Sequence, residues 1–362
     1  MTRIAGRLAL LLLGVVAGLG GTELVLRLLP RASVRDLRAL HELRPDRPWL
    51  FGMRPGAEMR GPGGVRYAVN ADGFRDRRYA RPKAAGTFRI VVLGHSIAFG
   101  WGVAQEDTYP KLLEARLAAL APAAPVEVPN LSVSGYNPYT ESALFADVGT
   151  GYQPDLVLVE FCINDLNDPT LHFDAQTTLR LGTIPDAAFP DPELRHPPPP
   201  PPSLAERVCR WSRLCALLTD HAAPLPDAAL LHDALVTHDD PPEAELAWLR
   251  ARYDEIAAAA AARGARFAVA VFPYATQLDG RAPTRVQEHL TALGRQAGWT
   301  TIDLLPAFRA AARSGTLLFS DLWHPTAAGH RVAAEVILAR LRCLGLVPLP
   351  AEAGCADHPV ER

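Results

Sequence analysis

Short apolar runs alternate with amphipathic stretches from residue 88 onward. The first run, 89–93, is rich in β-branched residues and ends at Gly94, which is typical of a buried strand. Strands that alternate with helices predict a parallel sheet covered by helices on both faces, a three-layer α/β/α sandwich. The other predicted strands are 126–133, 155–161, 267–272 and 300–304, and the predicted helices are 108–120, 243–263, 285–297 and 327–344.

The regions outside this alternation differ in composition. Residues 31–87 are rich in Arg and Pro and carry turn signals, so we expect a lead-in segment with one or two short strands, one of them at 65–69. Residues 167–240 contain six consecutive prolines, which cannot form a sheet core. We therefore expect a surface insertion within a domain that spans 88–345, followed by a C-terminal tail at 346–362.

The N-terminal segment, residues 1–30, has the pattern of a membrane or export signal. Arg3 and Arg7 precede an apolar run that, extended to Leu29, has 22 residues, roughly 33 Å of helix. We expect a retained signal-anchor helix, with the two arginines inside and the domain outside the cytoplasm. A cleaved signal peptide, for which 18–20 is a poor cleavage site, and a buried helix of a soluble protein are the alternatives.

Composition excludes two classes of protein. Lys and Arg number 37 and Asp and Glu 39, so the net charge of −2 argues against nucleic-acid binding by bulk charge. A hydrophobic fraction of 49% argues against an acidic disordered chain. Export would permit disulfides, for which Cys209 with Cys215 and Cys343 with Cys355 are candidate pairs that leave Cys162 over; five reduced cysteines are the alternative.

A serine follows the first predicted strand, at the end of the sheet where ligands bind. Ser96 follows the first strand through Gly94 and His95, and in a parallel sheet the C-terminal strand ends form the ligand crevice. On a tight turn entering a helix, a serine presents its hydroxyl and its own N–H together. The alternative is a plain helix cap, a position that serine favours.

An acid and a base stand together just before the last predicted helix. A serine hydroxyl is a weak nucleophile that needs a base, and an orienting carboxylate helps that base. Asp321 and His324, three residues apart, supply both on one loop. A turn aspartate beside a surface histidine and a pair of metal ligands are the alternatives. No His-Glu-x-x-His or Cys-x-x-Cys motif accompanies them, so we predict no metal and no cofactor.

Two further residues could donate hydrogen bonds to an oxyanion. Acyl transfer passes through a tetrahedral oxyanion, and losing one donor costs roughly 2.7–4 kcal/mol of barrier. Gly135 follows the second predicted strand with an approachable N–H, and Asn164 follows the third with a side-chain amide. Each alone is an ordinary turn residue. Together with Ser96, Asp321 and His324 they all follow predicted strands and are expected to converge on one crevice.

In this order the motifs resemble those of the SGNH (GDSL-type) hydrolases, over about residues 65–345 without the insertion. The resemblance is specific because four blocks occur in sequence, although each block alone is weak. A short stretch upstream is similar to the lead-in of membrane-anchored bacterial members. The four blocks are 92–103 (VLGHSIAFGWGV), 130–137 (NLSVSGYN), 162–166 (CINDL) and 321–330 (DLWHPTAAGH), and the upstream stretch is 70–75 (NADGFR).

The resemblance implies a flavodoxin-like fold and a serine esterase that acts through an acyl-enzyme on a small-molecule, glycan or lipid ester. The expected anchoring and export alone favour a cell-envelope substrate, such as an O-acetyl ester of an envelope glycan or a lipid ester. An O-acyltransferase acting on an envelope glycan and a catalytically weak pseudo-hydrolase that binds a glycan or partner are the alternatives. Nucleic acid is not an expected partner. The implied roles are Ser96 as nucleophile, His324 as base, Asp321 as its orienter, Ser96, Gly135 and Asn164 as the oxyanion hole, and His95, Asn137, Asp165 and Trp323 as candidate pocket residues.

Two positions depart from the family pattern. His95 stands where the family usually has Asp, and it replaces an anionic acceptor with a group that can be neutral or cationic beside the nucleophile. Cys162 stands where the family usually has Gly, and it adds a Cβ where the backbone could need the freedom of glycine. Neither removes a residue of the implied triad or oxyanion hole.

Two rival motifs fit less well. Residues 94–98 come close to the Gly-x-Ser-x-Gly elbow of α/β-hydrolases, but that fold places several strands before the serine and its acid and base on separate loops. Residues 99–102 are glycine-rich but lack the Gly-Lys-Ser/Thr of a phosphate-binding loop.

Overall fold

A computed structural model of the protein describes residues 2–28, 40–44, 46–122, 124–167, 212, 214–215, 240–280 and 282–350. The chain divides into two compact units. One consists of Met1–Ser33 and His196–His232, and the other of Val34–Arg195 and Asp233–Arg362. Most of the predicted insertion and tail lie outside the described residues, so the expectations for 167–240 and 346–362 stay predictions.

The first unit contains one long helix, α1 (Thr2–Leu28). Glu23 near its end pairs with Arg27 one turn later at 2.7 Å and accepts hydrogen bonds from the Ser212 hydroxyl at 2.9 Å and the Leu214 N–H at 3.0 Å. The predicted N-terminal helix is therefore present. Among the helices of the described residues, however, none is both long enough and apolar enough to cross a bilayer, so a membrane-spanning helix is not supported.

The second unit is built on a parallel sheet of five strands in the order β6-β5-β7-β8-β9. Every neighbouring pair is parallel; for example, Val91 pairs with Val157, which pairs with Phe267. The three central strands are almost fully buried, as expected for near-continuous apolar runs. The predicted α/β fold with a five-stranded parallel sheet is thus confirmed. The strands are β5 (Phe88–Leu93), β6 (Val126–Glu127), β7 (Leu156–Phe161), β8 (Arg266–Val271) and β9 (Thr300–Asp303).

Helices connect and cover these strands. Two pairs make the most extensive helix–helix contacts, α3 with α9 and α4 with α6. The helices of this unit are α2 (Ser96–Phe99), α3 (Tyr109–Leu120), α4 (Pro138–Asp147), α5 (Asn164–Asn167), α6 (Glu243–Ala261), α7 (Arg285–Ala297), α8 (Leu305–Arg313) and α9 (Ala327–Cys343).

The second strand differs from the sequence prediction, and the helices α4, α5 and α8 were not predicted. Strand β6 is only two residues long because Pro129 has no N–H to continue the ladder, although its carbonyl still accepts from Val92 N at 2.9 Å. Helix α4 was not predicted, yet Asn137 caps it and Pro138 occupies its first turn, a pairing that marks helix starts.

The lead-in segment forms two antiparallel hairpins, β1 (His41–Leu43) with β2 (Phe51–Met53) and β3 (Glu58–Arg60) with β4 (Arg66–Ala68). The strand expected at 65–69 is therefore found. No sequence signal that we used predicted the other three, since each is only three residues long.

The lead-in segment also anchors the loop that follows α2. The buried Arg75 guanidinium lies 4.2 Å over the Tyr67 ring and donates hydrogen bonds to the carbonyls of Phe99, Gly100 and Val103 at 2.7–2.9 Å. Burial lowers the pKa of Arg75 to about 10, so the side chain still carries its charge at neutral pH. A single cation thus satisfies three carbonyls of one tight loop.

Gly100 should be irreplaceable in this loop. Its φ is +84°, and an added Cβ would collide with the Thr108 methyl and approach Arg75 Nη1 to 2.9 Å. We expect Gly100→Ala to lower the free energy of unfolding by about 2–5 kcal/mol, the sum of backbone strain and overpacking. Gly86→Ala is the matched control, since Gly86 has a φ of +78° with no atom near its Cβ position. Urea unfolding of both variants measures the difference, and equal losses would contradict the packing argument.

Candidate active site

Ser96 lies at the C-terminal edge of the sheet, as its position in the sequence predicts. Strand β5 ends at Leu93, Gly94 and His95 turn the chain, and Ser96 is the first residue of α2. Gly94 is needed for space here, because a Cβ would lie 2.5 Å from Glu160 Oε2. That carboxylate instead accepts the N–H groups of His95 at 3.1 Å and Ala98 at 3.0 Å, which fixes the turn from below.

The structure brings Ser96, His324 and Asp321 together in one chain of contacts. His324 Nε2 lies 2.9 Å from Ser96 Oγ, and His324 Nδ1 lies 2.7 Å from Asp321 Oδ2. The other Asp321 oxygen accepts the N–H groups of Trp323 at 2.8 Å and His324 at 2.7 Å. The carboxylate is therefore held by its own loop and points the imidazole at the serine.

Asp321 is ionised in this setting. Burial alone would raise its pKa, but the hydrogen bond and charge of His324, with the N–H groups of His324 and Trp323, outweigh burial and hold the pKa below its ordinary value. An ionised Asp321 fixes the tautomer in which His324 Nδ1 donates, so that Nε2 is left to accept from Ser96.

The structure describes two of the three candidate oxyanion donors. The N–H of Ser96 opens α2, where helix geometry leaves it without an intrahelical acceptor. Gly135, with a φ of +91°, follows a segment bound to the end of β5 by Val133 N to Gly94 O at 3.2 Å. Asn164 begins α5 directly after β7, but its side chain lies outside the described residues. The oxyanion hole therefore remains a prediction.

His95 and Asp165 are buried behind Ser96 rather than lining an open pocket. His95 Nδ1 lies 3.2 Å from Ser96 Oγ, and its Nε2 lies 3.1 Å from Glu160 Oε1 and 3.8 Å from Asp165 Oδ1. Asp165 also accepts the Cys162 N–H at 3.0 Å. Burial raises the pKa of Glu160 to about 8, against the two N–H groups that favour its charge.

The other two candidate pocket residues, Asn137 and Trp323, do not lie behind Ser96 with His95 and Asp165. Asn137 is buried and caps α4 by accepting the Thr140 N–H at 3.1 Å, so its polar group is used by the helix. Trp323 is half-buried beside His324, with its ring 6.4 Å from that of Tyr274.

The reading of Cys162 as a strained substitution for glycine is wrong. In the described part of the chain, Leu50 and Gln153 are the non-glycine residues with positive φ, and Cys162 is not among them. It is a buried, reduced cysteine. Cys215 and Cys343, by contrast, are disulfide-bonded. The pairings with Cys209 and Cys355 stay predictions, because those two residues lie outside the described part.

Sequence reasoning missed Glu160 in this site. Glu160 is a charged residue inside an otherwise apolar strand, a signal that would have identified it. An aromatic wall lies beside His324: Trp101 stacks on Tyr67 with ring centroids 5.4 Å apart and lies 6.4 Å from the His324 ring. Within the described ranges, no group of three or more His, Cys, Asp or Glu residues is arranged to hold a metal ion.

The parallel sheet and the order of the motifs agree with what a comparison with known protein families finds. Residues 92–332 match the model of the GDSL-like lipase/acylhydrolase family, which covers about two thirds of the chain. The chain belongs to this family, whose members are ester and acyl hydrolases. No match was found among curated protein sequences.

Several solved structures align with the chain at low identity. TesA is 16% identical, with 72% of this chain and 99% of that one covered and a TM-score of 0.42. LAE5, an α/β hydrolase from the metagenome of Lake Arreo in Spain, is 20% identical, with 73% and 99% covered and a TM-score of 0.43. A catalytic mutant of Axe2, an acetylxylan esterase from Geobacillus stearothermophilus, is 14% identical, with 73% and 97% covered and a TM-score of 0.44.

His330, at the end of the block around His324, should make folding pH-dependent. It is buried, and its Nδ1 accepts the Tyr109 N–H at 3.1 Å. Burial, aided by the charges of Arg75 and His324, lowers its pKa to about 3, so the imidazole is neutral in the folded protein. The unfolded chain binds a proton here below about pH 6.5 and the folded chain does not, so stability falls as pH drops from 6.5 towards 3.

The variant His330→Gln keeps a hydrogen-bond acceptor but removes this titration. We expect the stability of the wild-type protein to fall relative to the variant by up to about 1.4 kcal/mol per pH unit below pH 6.5. Urea unfolding of both proteins at pH 7.5 and 5.0 measures the difference. Parallel losses in the two proteins would show that His330 does not remain neutral in the fold.

Proposed function

We propose that the protein is a serine esterase in which Ser96 is the nucleophile, His324 the general base and Asp321 the orienting carboxylate. The observation that carries the proposal is the continuous contact from Asp321 through His324 to Ser96, at 2.7 and 2.9 Å. A base within this distance of a hydroxyl can take its proton as the hydroxyl attacks. Membership of the hydrolase family supports the same reaction.

The reaction proceeds through an acyl-enzyme. Ser96 Oγ attacks the ester carbonyl while His324 Nε2 accepts the serine proton, and the N–H groups of Ser96 and Gly135 with the Asn164 amide hold the oxyanion. His324 then gives the proton to the leaving alcohol. A water activated by His324 releases the acyl group and regenerates Ser96.

The substrate that we propose is an O-acyl ester of a small molecule or glycan, with O-acetyl groups of envelope glycans as the first choice. Support comes from the expected export of the domain and from the disulfide-bonded Cys215 and Cys343, which fit an oxidising compartment. Location outside the cytoplasm is part of this proposal. If a glycan hydroxyl replaces water in the second step, the same site performs O-acyl transfer.

Loss of the Ser96 hydroxyl tests the proposal most directly. Hydrolysis of p-nitrophenyl acetate by the full-length chain should fall at least 10³-fold in Ser96→Ala, since no nucleophile replaces the serine. Ser314→Ala is the matched control and should keep wild-type activity, because Ser314 is exposed and bonds only its own helix end and Thr316. A wild-type protein that folds but hydrolyses no ester at any pH would instead favour a binding protein.

Asp321→Asn tests the orienting role separately. The amide oxygen can still accept both N–H groups of its loop, but the NH₂ group then faces His324 Nδ1 and favours the wrong tautomer of His324. We expect kcat to fall roughly 10³- to 10⁴-fold with KM within a few-fold of wild type. Steady-state kinetics with p-nitrophenyl acetate give both constants. A loss confined to KM would place Asp321 in substrate binding rather than in proton transfer.

A further inference from the structure

Ser96 Oγ is contacted by two imidazoles. His324 Nε2 lies at 2.9 Å and His95 Nδ1 at 3.2 Å. Each imidazole has a carboxylate behind its other nitrogen, Asp321 for His324 and Glu160 for His95. The serine hydroxyl therefore stands at the meeting point of two carboxylate–imidazole pairs, of which the proposed esterase mechanism uses one.

The geometry of His95 favours proton acceptance at Nδ1. The Ile97 N–H points to Nδ1 at 3.5 Å, as expected for a capping acceptor, while Nε2 lies 3.1 Å from Glu160. Glu160 is fixed at the end of a central strand. Burial raises its pKa to about 8, although the two backbone N–H groups that it accepts favour its charge. Above about pH 8, with Glu160 ionised, the proton of neutral His95 belongs on Nε2, and Nδ1 presents its lone pair to Ser96 at 3.2 Å, with the Ile97 N–H as a more distant donor to the same atom.

We propose that His95 is a second proton acceptor for Ser96, with Glu160 as the carboxylate that positions it. The proposal rests on the esterase function and extends it. When Ser96 attacks, its O–H bond breaks, the bond from Oγ to the electrophile forms, and the proton passes to His95 Nδ1. The imidazolium that forms is balanced by Glu160, with Asp165 3.8 Å away.

The two acceptors differ in what they can do next. His324 is partly exposed and can pass its proton to a leaving alcohol, whereas His95 is only 2% exposed and cannot reach substrate. His95 therefore supports attack by Ser96 only when the leaving group departs without a proton. An alkyl fluorophosphonate meets this condition, because the Oγ–P bond forms and fluoride leaves with its electron pair.

Several titratable groups on the surrounding helices and strands face His95 and Glu160. Burial raises the pKa of Tyr109, Tyr253 and Glu141 well above their ordinary values, with the neighbouring carboxylates adding to the shift, so all three are neutral. Glu160, whose pKa burial raises to about 8, is the group that titrates nearest to working pH. These groups are Tyr109 on α3, Glu141 on α4, Glu160 on β7, Cys162 after it, Asp165 on α5 and Tyr253 on α6.

The experiment measures the rate at which an alkyl fluorophosphonate labels Ser96 in full-length protein, by intact mass. At pH 9, His324→Ala should label about 10- to 100-fold faster than the double variant His95→Asn/His324→Ala. Asparagine is a good capping residue that takes no proton, so it keeps the turn and removes the acceptor. Thermal unfolding checks the fold, and His95→Ser, also a capping residue, replaces His95→Asn if that variant does not fold.

A pH profile separates proton acceptance from a structural role. In His324→Ala, the labelling rate should rise as pH increases through about 8, where Glu160 ionises and directs the lone pair of His95 to Ser96. Adding Glu160→Gln should abolish this rise, although glutamine can still accept an N–H from the turn.

The failures of the two proposals are distinguishable. Equal labelling rates with and without His95, in folded variants, or a flat profile in His324→Ala, would overturn the second acceptor while leaving the esterase intact. Wild-type protein that labels at Ser96 but hydrolyses no ester would overturn the esterase, and the comparison between His95 variants would still decide the role of His95.

Discussion

A 2.9 Å hydrogen bond between His324 and Ser96 joins two loops that are 228 residues apart in the chain, and much of the surrounding structure keeps those loops in place. Ser96 is fixed by strand β5 on one side and by Glu160 under its turn on the other. The loop after α2 is held by Arg75 of the lead-in segment. His324 is fixed by Asp321, which binds its ring and its backbone at once. A displacement of either loop by about 1 Å would be costly for catalysis.

The central sheet could be predicted from the sequence because its strands are buried on both faces and their apolar runs are continuous. The runs at 89–93 and 155–161 agree with β5 and β7 to within one residue. Three of the four short strands of the lead-in segment, β1, β2 and β3, were not predicted, because three residues carry no measurable period. The end of β6 was overextended, because a single proline interrupts a run that otherwise looks like a strand.

The residues of the candidate site could be predicted where their partners are close in the sequence, and could not where the partners are distant. Asp321 and His324 are three residues apart and share a loop, and the order of motifs pointed to Ser96. The partners of His95 lie on strand β7 and helix α5, more than 60 residues further along the chain. No residue near His95 in the sequence indicates these contacts. An asparagine before a proline can be a pocket residue or a helix cap; the structure shows that Asn137 caps α4, and its place in a pocket stays a prediction.

Glu160 shows how stability and chemistry are combined at one position. A buried carboxylate in the middle of a sheet is costly, and an apolar side chain of similar size would pack there without that cost. An apolar residue would, however, leave the His95 and Ala98 N–H groups without an acceptor, at about 1–3 kcal/mol each. The carboxylate thus shapes the turn that carries Ser96 whether or not it acts in proton transfer. Above about pH 8, where Glu160 is ionised, the carboxylate beneath Ser96 also makes an imidazole at residue 95 tolerable, since a positive charge on that imidazole is compensated at 3.1 Å.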